Sequence, residues 1–148
     1  VIPAVFGVPV RYYPDRWPDP EPGHELDPAQ IEELDAARLL AGPFVEYLVA
    51  QIELMAARYG PVHGDLNWQG VLNVAFRLRG QQVFLDMVDR PELAARLFAL
   101  VTDVIIGLAR MVHERQRRSG FPIDYMCVSN CTVNMISPGR LRALAARI

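Results

Sequence analysis

Apolar residues recur at helical spacing after the pair Gly42-Pro43, which predicts an amphipathic helix over residues 44 to 59. Gly60-Pro61 then supplies a stop signal, because proline cannot continue a helix and glycine tolerates the turn that follows one. The predicted helix has one stripe of apolar residues, and we expect that stripe to be buried. Its members are Phe44, Leu48, Ile52, Met55 and Tyr59.

A second and longer helix is predicted from Pro91 to the polar run "HERQRRSG". The segment Asp89-Arg90-Pro91-Glu92 reads as a capping box, in which the side chains of the first and fourth residues bind each other's backbone N–H groups. An apolar stripe at helical spacing follows it. The stripe consists of Leu93, Leu97, Leu100, Val104, Leu108 and Met111.

Shorter helices are predicted before and between these two. Asp27 and Gln30 form another capping box around Pro28, so a helix should begin there and run to about Leu40. Gly70 to Arg79 should be helical and end at Gly80. Residues 1 to 27 hold 6 of the 12 prolines, so we expect an ordered loop or lid there instead of a helix or a central strand.

"PVHGD" is a short candidate strand, and "PIDYMCV", an apolar run too short for a helix, is the best one. A further apolar run, "VFLDMV", could be a strand or an extended connector. Ser137-Pro138 should begin a further helix. Strands that alternate with long helices imply parallel βα units and hence an α/β fold. Two or three strands cannot close a barrel, which takes about 250 residues. The chain therefore reads as a segment of a larger α/β structure.

Composition narrows the possible functions. The 148 residues are 51% apolar with a net charge of −2, as in globular proteins. All basic residues are Arg and they are scattered, so neither Lys chemistry nor a nucleic-acid stripe is expected. No signal peptide and no apolar run of about 20 residues is evident, so we expect a cytoplasmic protein without a membrane partner. Two cysteines, Cys127 and Cys131, are too few for a disulfide framework.

The tetrapeptide His63-Gly64-Asp65-Leu66 resembles the catalytic loop of aminoglycoside-phosphotransferase-like kinases, in which Asp is the base and a later Asn holds magnesium. Asp86 lies at a plausible distance for the second metal-binding Asp. Gly70, however, stands where the Asn is needed, and the chain has no Lys to pair with phosphate. The kinase interpretation is therefore incomplete.

Three further motifs are more specific: "GDLNWQGVLNVAFRLRG", "LDMVDRPELAARLFALVTDVI" and "VSNCTVNMISPGRLRALAARI". In order and spacing, from Asp65 onward, they resemble the uroporphyrinogen decarboxylase superfamily, which also contains corrinoid and cobalamin-dependent methyltransferases. The resemblance implies that residues 1–148 are the central part of one (β/α)8 barrel domain, with residues 1–27 as its loop or lid. It implies a decarboxylase that acts on a tetrapyrrole or a related carboxylated small molecule without a cofactor.

Barrel enzymes of this kind place their sites at the carboxyl ends of the strands. Two groups of residues would then line one mouth and bind substrate: Asp65, Asn67, Trp68 and Gln69 after one strand, and Ser129, Asn130 and Thr132 after the next. The indole of Trp68 could stack on a flat ring or only cover the mouth. The family's catalytic Asp, arginines and His would lie outside this segment, and no metal site is expected within it.

Two alternatives remain open at this stage. A corrinoid-linked methyltransferase of the same fold would need a zinc site of the His-x-Cys type, which this sequence lacks. A non-catalytic half-barrel binding module would need to cover its sheet edges, so it predicts self-association as a homo-oligomer.

Overall fold

The computed structural model describes residues 2–61, 66–121, 126–139 and 142, and most of these residues are helical. Two strands of two residues each, β1 (Val10–Arg11) and β2 (Asp19–Pro20), pair antiparallel. The helices are α1 (Ile2–Val5), α2 (Pro28–Glu33), α3 (Ala36–Leu40), α4 (Pro43–Tyr59), α5 (Val71–Arg79), α6 (Gln82–Asp89) and α7 (Pro91–Arg118), and a 3-10 turn spans Cys131–Met135.

Helix α7 is the centre of the core. Helices α2, α3, α5 and α6 pack against it, and α5 also contacts α1 and α6. The predicted stripe of α7 is confirmed: Leu97, Val104 and Leu108 are at most 1% exposed, and Met111 at its end is half-buried. At Gly107 the chain of α3 comes close, since an added Cβ would lie 2.3 Å from the Leu40 side chain.

Polar side chains join α7 and its neighbours at two points. Arg96 on α7 donates to three carbonyl oxygens at the end of α2, including those of Ile31 at 3.1 Å and Leu34 at 3.0 Å. These bonds satisfy carbonyls that a helix end leaves unpaired. Arg79 on α5 binds Asp86 on α6 at 2.8 Å, and both side chains are at least 90% buried.

The predicted fold class, a segment of a parallel (β/α)8 barrel, is wrong for the described residues. Their only sheet is the antiparallel pair β1 and β2, and the core consists of helices packed on α7. Residues 62–65 and 122–125, which carry most of two predicted strands, lie outside the described residues. Residues 126–128 form no strand; one isolated parallel bridge joins Gln69 to Ser129.

The run "VFLDMV", predicted to be a strand or an extended connector, is instead part of helix α6. Val83, Asp86 and Met87 are buried, and their spacing of three and four is that of a helix face, not of a strand. The apolar run was short enough to fit either period. The ion pair of Asp86 with Arg79 fits this helix, because Asp86 lies on the same inward face as Val83 and Met87.

One predicted capping box is confirmed and the other is wrong. Asp27 Oδ1 accepts from the Gln30 backbone N–H, and Gln30 Oε1 accepts from the Asp27 N–H, each at 2.8 Å. The helix this box begins ends at Glu33, and α3 starts anew behind Asp35. Asp89 cannot cap α7, since it is the last residue of α6; the N-cap residue of α7 is Arg90, without a side-chain cap.

Helix α4 has the predicted bounds but is mostly uncovered. Phe44, Leu48 and Ile52 pack against the core as expected. The predicted burial is wrong at the other end of the stripe, where Met55 is 51% and Tyr59 76% exposed. Among the described residues, Ala36–Tyr59 is the stretch whose length and composition would allow it to cross a membrane. That property was not expected from the sequence.

The N-terminal segment takes part in the core instead of standing apart as a lid. Ile2, Phe6 and Val8 are buried, and Ile2–Val5 forms one helical turn that the proline content did not predict. Arg11 donates to Glu21 across the β1–β2 pair at 3.3 Å, and this hydrogen bond raises the pKa of Arg11.

Candidate functional site

The described parts of the two residue groups predicted to bind substrate lie side by side. The chain before α5 runs parallel to the chain before the 3-10 turn, with Gln69 opposite Ser129. The Ser129 N–H donates to the Trp68 carbonyl at 3.0 Å, and the Gly70 N–H donates to the Ser129 carbonyl at 2.7 Å. We call this place the Gln69–Ser129 site. It comprises residues 67–70, Asn73 and residues 129–132.

Asn73, in the first turn of α5, fastens the two segments together. Its Nδ2 donates to the Ser129 carbonyl at 2.8 Å, and its Oδ1 accepts from the Thr132 N–H at 2.9 Å. One amide therefore satisfies two backbone groups of the opposite segment. Asn73 was not predicted to belong to the site; the available signal was an amide among the inward-facing apolar residues of α5.

The predicted substrate-binding residues differ in how accessible they are. Asn67, Ser129 and Asn130 are exposed, while Gln69 and Thr132 are half-buried. Trp68 is only 4% exposed and belongs to the core, so its ring face is not presented to solvent. Asp65, together with His63, lies outside the described residues.

Gly70 permits the close approach of the two segments. A Cβ at this position would lie 2.5 Å from Cγ of Asn130, which is closer than non-bonded atoms can approach. Any other residue here would push the Asn130 side chain away. Gly70 stands where the kinase motif requires Asn, and the close contact with Asn130 explains why a glycine is found there.

Gly70 is also the N-cap residue of α5 and has no side chain with which to bind the first turn. The N–H groups at the start of a helix carry a partial positive charge and favour anions such as carboxylates. Around this helix start, the side chains of the site are neutral amides and hydroxyls, together with the Cys131 thiol. Ser129 Oγ lies 3.4 Å from Cys131 Sγ. Such groups bind a ligand by hydrogen bonds and supply no strong acid or base.

The charged residues Arg77 and Arg79 at the far end of α5 and Asp86 on α6 are paired with one another or with the N-terminal segment. Arg77 on α5 donates to Asp19 of β2. Asp86, which the kinase interpretation would use as a magnesium ligand, is 3% exposed and bound to Arg79. Among the described residues no group of three or more His, Cys, Asp or Glu is placed to hold a metal ion. The zinc alternative therefore receives no support from this part of the chain.

Comparison with known proteins found no matching family model, no matching curated protein and no matching solved structure.

Proposed function

We propose that the Gln69–Ser129 site binds the carboxylate of a small molecule and that the chain contributes this substrate-binding wall to a decarboxylase. The substrate class is the one implied by the sequence resemblance, a tetrapyrrole or a related carboxylated compound. The observation that carries the proposal is the parallel pairing of residues 67–70 with residues 129–132, two segments that are distant in sequence.

The chemistry of the site favours a carboxylated ligand. A carboxylate accepts hydrogen bonds, and the uncapped start of α5 offers backbone donors in a region of positive potential. The exposed side chains of Asn67, Ser129 and Asn130 add donors of their own. The described residues of the site carry no negative charge that would repel the ligand. The catalytic acid or base would come from residues outside this wall, as the resemblance implies.

Binding can be tested with uroporphyrin, a stable aromatic tetrapyrrole that carries carboxylate side chains. Its Soret absorption band should shift on titration with the wild-type chain. Asn130→Ala should weaken this binding about tenfold, because it removes an exposed donor from the site. Gln81→Ala is the matched control, since Gln81 is also an exposed amide and lies beyond the other end of α5; it should leave the titration unchanged.

The proposal would be contradicted by a titration without any shift, or by equal effects of the two variants. Incubation of uroporphyrinogen with the chain, followed by measurement of released CO2, separates binding from catalysis. CO2 release above the uncatalysed rate is expected only where the catalytic groups are present together with this wall. Binding without release would support the binding role and oppose decarboxylation by these residues alone.

A further inference from the structure

The outward face of α4 carries apolar residues that nothing in the described structure covers. Tyr47 and Leu54 are 57% and 60% exposed, and Ala50 and Ala57 are exposed between them. We call Tyr47, Ala50, Leu54 and Ala57 the outer stripe. The opposite face of α4 packs on the core through Val45 and its neighbours. A helix that is apolar on both sides is normally buried on both sides.

The chain as a whole exposes more surface than a compact monomer of its size: 9223 Å², against about 7,600 Å² for a monomeric protein of 16.6 kDa. This excess is not assigned to one face, but it is in keeping with a chain that buries the ~800 Å² of a standard interface on association.

The spacing of the outer stripe is that of a coiled-coil seam. Its members follow one another at intervals of three, four and three residues. Tyr47 and Leu54 therefore take the a positions of a heptad repeat, and Ala50 and Ala57 take the d positions. The alanines allow two helix backbones to approach closely. A groove of about 400 Å³, lined in part by Gly7, Phe44 and Tyr47, adjoins the stripe at its N-terminal end. It offers space for a second tyrosine ring beside Tyr47.

The charged residues on the two sides of the stripe favour a second copy of the chain as partner and a parallel orientation of the two helices. Glu46 and Glu53 lie on one flank, and Arg58 lies on the other. In a parallel pair of identical helices, Glu53 of one copy faces Arg58 of the other, five residues further along. An antiparallel pair would instead bring the acidic flanks together. Glu53 Oε1 also accepts from Arg115 of its own chain at 3.0 Å, and its second oxygen remains to accept another bond.

We propose that the chain forms a two-fold symmetric homodimer in which the outer stripes of two α4 helices pack in parallel. The occupant of the uncovered face is thus a second copy of the same chain. This inference does not depend on the ligand of the Gln69–Ser129 site.

Sedimentation equilibrium at low and high micromolar concentration tests the association. The wild-type mass should rise toward twice 16.6 kDa, and Leu54→Glu should weaken dimerisation about tenfold or more, because it places a charge in the centre of the seam. Leu85→Glu is the matched control, since Leu85 on α6 is similarly exposed, at 54%; it should not change the mass. A monomer at every concentration, or equal effects of both variants, would overturn the proposal.

Charge exchange tests the direction. Arg58→Glu and Glu53→Arg should each dimerise poorly alone, because each places like charges opposite one another. An equimolar mixture should form the heterodimer, since both cross-pairs are then attractive. Thermal melting of each variant by circular dichroism checks that it folds. A mixture that stays monomeric would refute the parallel pairing, and binding of the wild-type chain to neutral phosphatidylcholine vesicles without dimerisation would assign the stripe to a membrane instead.

Discussion

Helices α4 and α7 begin alike in sequence and differ sharply in their surroundings. Each starts with a proline in its first turn and carries an apolar stripe at helical spacing. Helix α7 buries 12 of its side chains, whereas α4 buries only Val45. The stripe of α7 is covered because α2, α3, α5 and α6 all converge on it, while the last turns of α4 extend beyond the core.

An apolar stripe predicts which side of a helix is to be buried, but not whether the same chain or another molecule covers it. In α7 the partner is the rest of the same chain. In α4 we infer that it is a second copy. Substitutions of the same kind in the two helices, or in the contacts around them, should therefore have different consequences.

The largest difference is expected between two ion pairs. Asp86→Ala leaves the buried guanidinium of Arg79 without its carboxylate, so the free energy of unfolding should fall by about 3–5 kcal/mol. Glu53→Ala breaks the ion pair with Arg115. Because the Glu53 side chain is 62% exposed, the free energy of unfolding should fall by less than about 1 kcal/mol. Urea denaturation of both variants measures the difference. Equal losses would contradict the placement of Asp86 in the core.

A leucine truncated in each helix should show the same contrast. Leu108→Ala in α7 opens a cavity at a residue that is 0% exposed, and should lower the free energy of unfolding by about 2–5 kcal/mol. Leu54→Ala in α4 should cost about 0.5 kcal/mol or less in the monomer, as exposed substitutions do. Both values come from denaturation at concentrations below those at which the chain dimerises. A large loss for Leu54→Ala there would mean that α4 is covered within the monomer.

Gly107→Ala tests how closely α3 packs against α7. The added methyl group would lie 2.3 Å from Leu40, and such overpacking costs about 1–3 kcal/mol. Shortening the opposing side chain in the double variant Gly107→Ala/Leu40→Ala should recover part of the loss relative to the sum of the single variants. Strictly additive effects in this double-mutant cycle would show that the two residues do not touch.

A smaller loss than in the α7 core is expected at the Gln69–Ser129 site. Asn73→Ala removes two hydrogen bonds to partly solvated backbone groups, and should cost about 1–2 kcal/mol. Amide hydrogen exchange should speed up at Thr132, whose N–H loses its acceptor. Unchanged exchange at Thr132 would contradict the bridging role assigned to Asn73.

Much of the local structure was predictable from the sequence. The bounds of α4 and α5, the stripe of α7 and the Asp27 capping box depend on neighbours three or four residues apart, which the sequence displays directly. The identity of α6 was not predictable in this way, because its apolar run is short enough to fit a strand as well as a helix. Asn73 was missed because both groups it binds belong to a segment distant in sequence.

The sequence by itself determined the bounds of α4 and α5, the Asp27 capping box and the apolar face of α7, because backbone geometry and side-chain periodicity act over a few residues. Tertiary structure decided which faces are covered. It also decided that helices, instead of a parallel sheet, form the described core, and that Gly70 and Asn73 bring the Gln69–Ser129 site together. These outcomes depend on contacts between distant segments, whose free energies depend on burial and fit and so cannot be read from a local pattern.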